Sequence, residues 1–304
     1  MLRDEKILIT GAAGQIAFPI TEMLAADNEV WGIARFGDPA TRAKVDALGV
    51  TTRSIDLDSG EFGDLPSDFT YVLHLAAFMG GGLDYDHALR VNAEGTGLLL
   101  QHCRTAKAAL VMSTHSVYKP VADPMHAFLE TDPLGDVNAT HAPTYSISKI
   151  SQEAVARYCA RAFDLPVIIA RMNASYGNNG GLPAYHLDTV VAGQPVITRN
   201  DPMPYSLIHQ DDINTQTEAL LDAASVPGTV VNWAGDEAIT VQEWCRYAGE
   251  LCGKEATVQA MSFPGTLIGS IADNAKRLSI TGPCRVGWKE GFQRMYAARH
   301  GGRA

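Results

Sequence analysis

Lys6-Ile7-Leu8-Ile9-Thr10-Gly11-Ala12-Ala13-Gly14-Gln15-Ile16-Ala17 decides how this chain folds. Its first five residues form a short apolar run, the texture of a parallel strand buried on both faces. Gly11 permits a tight turn. Gly14 lets the backbone approach an anion seated on the start of the next helix, where unpaired N–H groups point outward. Ala17 is small enough for close helix–strand packing, and residues 18–24 continue an apolar, helix-like pattern. Pro19 falls inside that helix and removes a backbone donor, so a local distortion is expected there. A strand, a glycine turn and a helix in this order suit a dinucleotide pyrophosphate; a glycine turn with no ligand is the plainer alternative.

Outward from this turn, strand-like segments near 6–10, 29–33, 50–55, 70–75, 108–113 and 166–171 alternate with helix-like ones. The helices are expected near 15–26, 39–48, 84–107 and 144–163. That alternation predicts an α/β fold with a doubly wound parallel sheet. After Arg171 the texture changes to loops at 177–183 and 200–204, separated by a helix near 184–192. Residues 229–232 are expected to return as a last buried strand. A helix near 240–252 starts at Thr240 with Glu243 three positions on, a capping box. Residues 288–299 read as a closing helix.

Bulk properties narrow the function. With 304 residues and 46% apolar content, the chain can bury one large core or two modest ones. A net charge of −10 argues against nucleic acid or an anionic membrane as partner, both being polyanions. Cys103, Cys159, Cys245, Cys252 and Cys284 are scattered, with no CxxC spacing and no His cluster, so no metal is expected. No apolar leader opens the sequence and no stretch is long enough to span a bilayer. The expectation is a cytoplasmic protein with reduced thiols.

The chemistry-bearing pair is Tyr145 and Lys149, in Tyr145-Ser146-Ile147-Ser148-Lys149. Residues at i and i+4 project from one helix face. A phenol beside an ammonium has its ionised form favoured, lowering a pKa of about 10. Such a tyrosine can exchange a proton with a carbonyl or hydroxyl oxygen near neutrality.

These two elements resemble the extended short-chain dehydrogenase/reductase family, the NAD-dependent epimerase/dehydratase group. So do His74-Leu75-Ala76-Ala77, Asn92-Ala93-Glu94-Gly95-Thr96, Ser113-Thr114-His115-Ser116-Val117-Tyr118, the stretch from Arg171 to Gly177, and His209-Gln210-Asp211-Asp212-Ile213. The resemblance runs almost end to end. It implies a Rossmann domain over 1–171 that carries the catalytic residues. A smaller entwined substrate-binding lobe would cover 172–304, with segments near 205–235 returning to the core. It implies Thr114 as the catalytic hydroxyl (Ser113 being the near alternative), Tyr145 as proton carrier, and Lys149 holding the nicotinamide ribose while tuning Tyr145.

The same resemblance implies a cofactor set of Gly11, Gly14, Gln15, Ile16, Arg35, Asp56, Leu57, Leu75, Ala76, Ala77 and Asn92, with Tyr145 and Lys149. Asp56-Leu57 would hold adenine or simply form a capped turn, and Asn92 would support backbone or the substrate loop. At the end of the second strand Ala34-Arg35 stands where NAD binders place a carboxylate. A guanidinium there favours a 2′-phosphate, so NADP is preferred and NAD remains possible.

For substrate, the expected rim comprises Phe78, Met79, Gly80, Thr114, His115, Ser116, Tyr118, Asn173, Tyr176 and Tyr205. His115-Ser116 replaces the Asp-Glu pair of dehydratases, and Tyr205 stands where nucleotide-sugar enzymes carry an arginine. The leading expectation is therefore an NADP-dependent reductase or dehydrogenase acting on a carbonyl or secondary alcohol of a non-nucleotide small molecule. The alternatives are a nucleotide-sugar epimerase that retains NAD and a non-catalytic NADP-sensing regulator. A homodimer is expected by analogy. His209, Asp211 and Asp212 read as a helix start and not a metal cluster. His74 reads as a structural residue at a strand end, and His115 as either a substrate neighbour or a hydrogen-bonded loop residue.

Overall fold

Among the described residues of a computed structural model, 2–138 and 141–301, seven strands form one sheet. In chain order they are β1 (Lys6–Thr10), β2 (Glu29–Ala34), β3 (Thr51–Ser54), β4 (Tyr71–His74), β5 (Ala108–Thr114), β6 (Val167–Met172) and β7 (Thr229–Trp233). Their order across the sheet is β7-β6-β5-β4-β1-β2-β3. The pairings from β5 across to β3 are parallel. This is the doubly wound α/β arrangement, with the strand order reversing beside β1.

The chain divides into two compact units. The first comprises Met1–Val117, Ala139–Arg171 and Asn214–Val231; the second comprises Tyr118–Asn138, Met172–Ile213 and Asn232–Ala304. In the first unit α1 (Ala17–Ala25) packs on β1 and β2, while α2 (Pro39–Asp46) packs on β3. The glycine-led helix α4 (Gly95–His102) lies against α5 (Tyr145–Phe163), which also packs on β5. Leu8, Val72, Leu99, Leu100, Val111 and Ile169 are among the residues that bury the unit's core. Strands buried on both faces need such runs, and β5 is apolar through Met112 before it turns to Ser113 and Thr114.

Two details differ from expectation. The helix expected over 84–107 is interrupted: α3 (Tyr85–Leu89) passes through a π-turn at Arg90–Glu94 before α4 begins. Gly95 belongs at that junction because a Cβ there would lie 2.8 Å from the Leu57 carbonyl oxygen. Pro19 is the third residue of α1. Phe18 N–H already donates to the Gly14 carbonyl at 2.8 Å, and Ile16 is helical at φ −82°, ψ −37°. The distortion at Pro19 thus amounts to a bond its nitrogen cannot donate in the opening turn, where helices tolerate proline.

The second unit holds α6 (Leu182–Val191), the start of α7 (Gln210–Asp222), α8 (Val241–Cys252), α9 (Ala275–Thr281) and α10 (Trp288–His300). Short strand pairs join them: Pro204–Ser206 with Ala238–Thr240, and Val196–Thr198 with Val258–Ala260. Leu187, Trp244, Phe292 and Met295 are among its core. The predicted capping box is present: Glu243 N–H donates to Thr240 Oγ1 at 3.1 Å and Thr240 N–H to Glu243 Oε2 at 2.8 Å. No described helix is long and apolar enough to cross a membrane.

Candidate active site

The first unit gathers its chemistry at the end of β5 and the start of α5. Thr114 is half-buried, accepts the Ser116 N–H at 3.2 Å and is hydrogen-bonded to the Tyr145 phenol. Tyr145 keeps part of its surface open, yet its enclosure pushes the phenol up to about 12, with Thr114 pulling the other way. The expected lowering of Tyr145 by Lys149 is therefore not what the structure shows. Burial of the phenol is the main reason, and the Lys149 ammonium does not offset it, donating instead to the Met112 carbonyl at 2.6 Å. It is almost wholly buried, and burial lowers it to about 7 while Glu153 raises it. Helical spacing brought the two side chains to one face without aiming the charge at the phenol.

Glu153 lies one further turn along α5, completely buried. Arg171 grips it through Nε at 2.9 Å and Nη2 at 2.8 Å, and Ser113 Oγ donates to it at 2.6 Å. Sequence reading passed over Glu153, although its position four residues beyond Lys149 was a usable signal.

A second buried network joins the glycine turn to this helix. Thr10 Oγ1 accepts from the N–H groups of Leu75 at 3.1 Å and Ala76 at 3.0 Å. Its own proton is then left for His74 Nδ1 at 2.8 Å. His74 must in turn carry its proton on Nε2, which donates to Thr96 Oγ1 at 2.7 Å. Thr96 passes its proton to the Asn92 carbonyl at 2.6 Å, and Gln152 Nε2 also donates to Thr96, at 2.9 Å. Burial above all, with Lys149 nearby, pushes His74 down to about 3, so it is neutral at pH 7. Asn92 sits in the π-turn, a deviation common at functional sites. Its Oδ1 accepts from Phe78 N–H at 2.7 Å, and its Nδ2 donates to the Phe78 carbonyl at 3.0 Å and Ser148 Oγ at 2.9 Å. Ser148 Oγ donates onward to the Tyr145 carbonyl at 2.9 Å. The structural reading of His74 understated how many segments it joins.

The remaining residues fall into place one by one. Gln15 and Ile16 follow Gly14 in the same turn and are half-buried. Arg35 is exposed at the end of β2, where its carbonyl accepts from Ser54 Oγ at 2.9 Å. Asp56 is exposed and opens a turn closed by Ser59, while Leu57 joins the core. Leu75, Ala76, Phe78 and Gly80 are half-buried, and Ala77 and Met79 exposed. His115 is buried in a short 3-10 turn (His115–Val117), and Ser116 is half-buried.

The four rim candidates of the second unit are engaged in holding that unit together. Tyr118 is fully buried, stacks on Phe128 at 4.7 Å and donates to Asn232 Oδ1 at 2.5 Å. Tyr176 is buried between the His209 and Phe292 rings. Neither ring has surface open to a ligand, so their placement on a substrate rim is corrected. Nearness in sequence to Thr114 and Asn173 did not reveal which way they point. Asn173 Nδ2 donates to the Ser270 carbonyl at 2.8 Å, and its Oδ1 accepts the Ala174 N–H at 2.8 Å. Tyr205 is buried against Trp244 and accepts from Arg199 Nη2 at 2.5 Å. Asp212, expected to cap its own helix, instead receives the N–H groups of Arg285 and Val286 at 2.6 and 3.3 Å and so ties the start of α7 to the stretch before α10. Among the described residues no group of three or more His, Cys, Asp or Glu could hold a metal ion.

With this geometry in hand, comparison adds lineage. A model of the NAD dependent epimerase/dehydratase family matches residues 7–233. Among solved structures, a Bacillus cereus UDP-glucuronic acid 4-epimerase in complex with UDP-glucuronic acid and NAD is similar at 23% identity and TM-score 0.82, covering 96% of this chain and 98% of that one. A Thermotoga maritima UDP-glucose 4-epimerase with UDP-glucose is similar at 20% identity and TM-score 0.78, with 96% and 98% covered. A Thermus thermophilus UDP-glucose 4-epimerase complex with NAD is similar at 23% identity and TM-score 0.78, again with 96% and 98% covered. No curated protein matches the sequence.

Proposed function

This chain belongs to the NAD dependent epimerase/dehydratase family, and on that footing we propose that it is an NAD-using epimerase acting on a sugar nucleotide. The observation that carries the reading is the Thr114–Tyr145 hydrogen bond at the mouth of β5, with Lys149 one turn along the same helix face. The solved neighbours named above, two of them bound to UDP-sugars and two to NAD, support an epimerase over a net reductase.

The glycine turn suits a dinucleotide. Gly11 has φ +67°, and a Cβ there would come within 3.0 Å of the Ala76 Cα, so no side chain fills the cradle. Gly14, exposed at the start of α1, leaves its outer face open to a pyrophosphate. Gln15 and Ile16 would flank it, and Leu75, Ala76 and Ala77 would edge the floor that Thr10 locks. Bound NAD would supply the taking up and return of a hydride.

The chain's own residues handle the proton and the geometry. Tyr145 in its ionised form would take the sugar hydroxyl proton, and as the neutral phenol, the form its burial favours, would return it to the carbonyl oxygen. Thr114 Oγ holds the same oxygen in line. A charged Lys149, fixed to the Met112 carbonyl, would hold the nicotinamide ribose hydroxyls through its remaining N–H donors. Phe78, Met79 and Gly80, anchored through Asn92, would border the sugar, with His115 and Ser116 near its reacting carbon.

A second reading, a net oxidoreductase on a non-nucleotide substrate, is favoured by Tyr205 standing where a diphosphate-binding arginine would be expected. Protein purified and assayed with a UDP-sugar panel separates the two. Inversion of a sugar without net absorbance change supports the epimerase. Steady oxidation of NADPH with a carbonyl compound would replace it. In either case Tyr145→Phe should lower kcat by about 10²–10⁴-fold.

A further inference from the structure

Tyr145, Lys149 and Glu153 are spaced four residues apart along α5 and so form one stripe. Three consecutive β5 residues meet the stripe. The Met112 carbonyl accepts from Lys149, Ser113 Oγ donates to Glu153, and Thr114 is bonded to Tyr145. Glu153 and Arg171 are both almost completely enclosed, and their paired contacts span α5 and β6. A buried carboxylate without such partners would be strongly disfavoured.

We propose that Glu153 is a positioning residue for Lys149: its carboxylate, one turn further along the same stripe, attracts the lysine ammonium, and Arg171, gripping the same carboxylate, moderates that attraction. The balance of enclosure and charge follows from the geometry. Lys149 has a backbone carbonyl as its hydrogen-bond acceptor, and burial drives it toward the neutral amine. Glu153 is the neighbour that pushes back.

Other groups on the packed elements are spoken for or remote. His74, at the end of β4, is kept neutral by burial. His87 of α3 faces Asp58 and the Phe78 ring, and Arg90 and Glu94 of the π-turn are exposed. His102 of α4 bonds the carbonyls of Leu65 and Pro66. His115 lies buried in the short turn after β5, and β5 itself carries no titratable side chain.

The consequence for turnover rests on the role given to Lys149 above, but the test does not. Carbon-13 NMR of labelled lysines in the full-length protein, free of substrate, would follow the Lys149 titration, its peak identified by loss in Lys149→Met. Glu153→Gln removes the negative charge and should shift the titration down by about one pH unit. Arg171→Met frees the carboxylate for the lysine and should shift it up. A residue that merely filled space would not move the two titrations in opposite directions, although both variants break the same ion pair. Should a single variant fail to fold, the double variant Glu153→Gln/Arg171→Met leaves burial unopposed and should titrate below the parent. Unchanged titrations, or shifts of one sign in both single variants, would overturn the proposal. Inactivity on every UDP-sugar would instead strike the epimerase reading and leave this one standing.

Discussion

His74→Gln offers a direct measure of the network between the glycine turn and α5. In the folded protein His74 is enclosed, with both ring nitrogens engaged by Thr10 and Thr96, and it takes a proton only at about 3. In the unfolded chain it protonates at about 6.5. Folding stability from this group is therefore fully present above about pH 6.5 and is lost as the pH falls toward 3. Between about pH 7 and pH 5 the loss comes to about 2 kcal/mol, the unfolded state gaining a proton that the folded state refuses. The glutamine variant will be less stable at pH 7, because it cannot reproduce both bonds. Its stability should nonetheless fall by about 2 kcal/mol less over that interval. Urea unfolding of both proteins at the two pH values reads the difference directly. Other acid-sensitive groups, such as His186, lowered by burial to about 4, are present in both proteins and cancel. Parallel pH curves would refute the reasoning, for they would mean that His74 is already free to take a proton in the native state.

Asn92→Ala removes three hydrogen bonds and leaves the Phe78 N–H without its partner, so a loss of about 2–4 kcal/mol is expected by urea denaturation. If the proposed sugar-nucleotide substrate is right, the same variant should raise its KM more than it changes NAD content, because Phe78 and Met79 lose their anchor while Gly11 and Gly14 keep theirs. Arg35→Asp should weaken NADP binding by at least about tenfold, measured by fluorescence titration, and alter NAD binding little. Equal losses for both dinucleotides would remove Arg35 from the cofactor's 2′ position.

The parts of the fold written in local pattern were legible. The strand–turn–helix at Lys6–Ala17, the alternation through Arg171 and the capping box at Thr240 needed only periodicity and turn chemistry. The split of the long helix was not, because the repeat that marks a helix does not register a widened turn at Arg90–Glu94. Within the candidate site, spacing singled out Tyr145 and Lys149 but did not reveal the Lys149–Met112 bond that decides where the charge lies. Tyr118 and Tyr176 were misread for a related reason. A tyrosine beside a reactive segment looks like a ligand contact until its partner, here Asn232 or the Phe292 ring, is known from distant parts of the sequence. The Glu153–Arg171 pair joins residues 18 positions apart and could be seen only once β6 lay beside α5.

The widened turn at Arg90–Glu94 also constrains how this segment can vary in length. It accommodates one residue beyond regular winding, so the helix after it keeps the phase it would have without that surplus. Excising a single residue within the turn would let it close to ordinary winding, with Leu99 and Leu100 still sealed from water. The same excision just inside α4 has no wide turn to absorb it: the rest of the helix would rotate by about 100°, Leu99 would take the place of Leu98, 40% exposed, and Gln101 the sealed place of Leu100. Single-residue changes in length that preserve the protein should therefore collect at the wide turn or in the exposed loop before it, and not in α4.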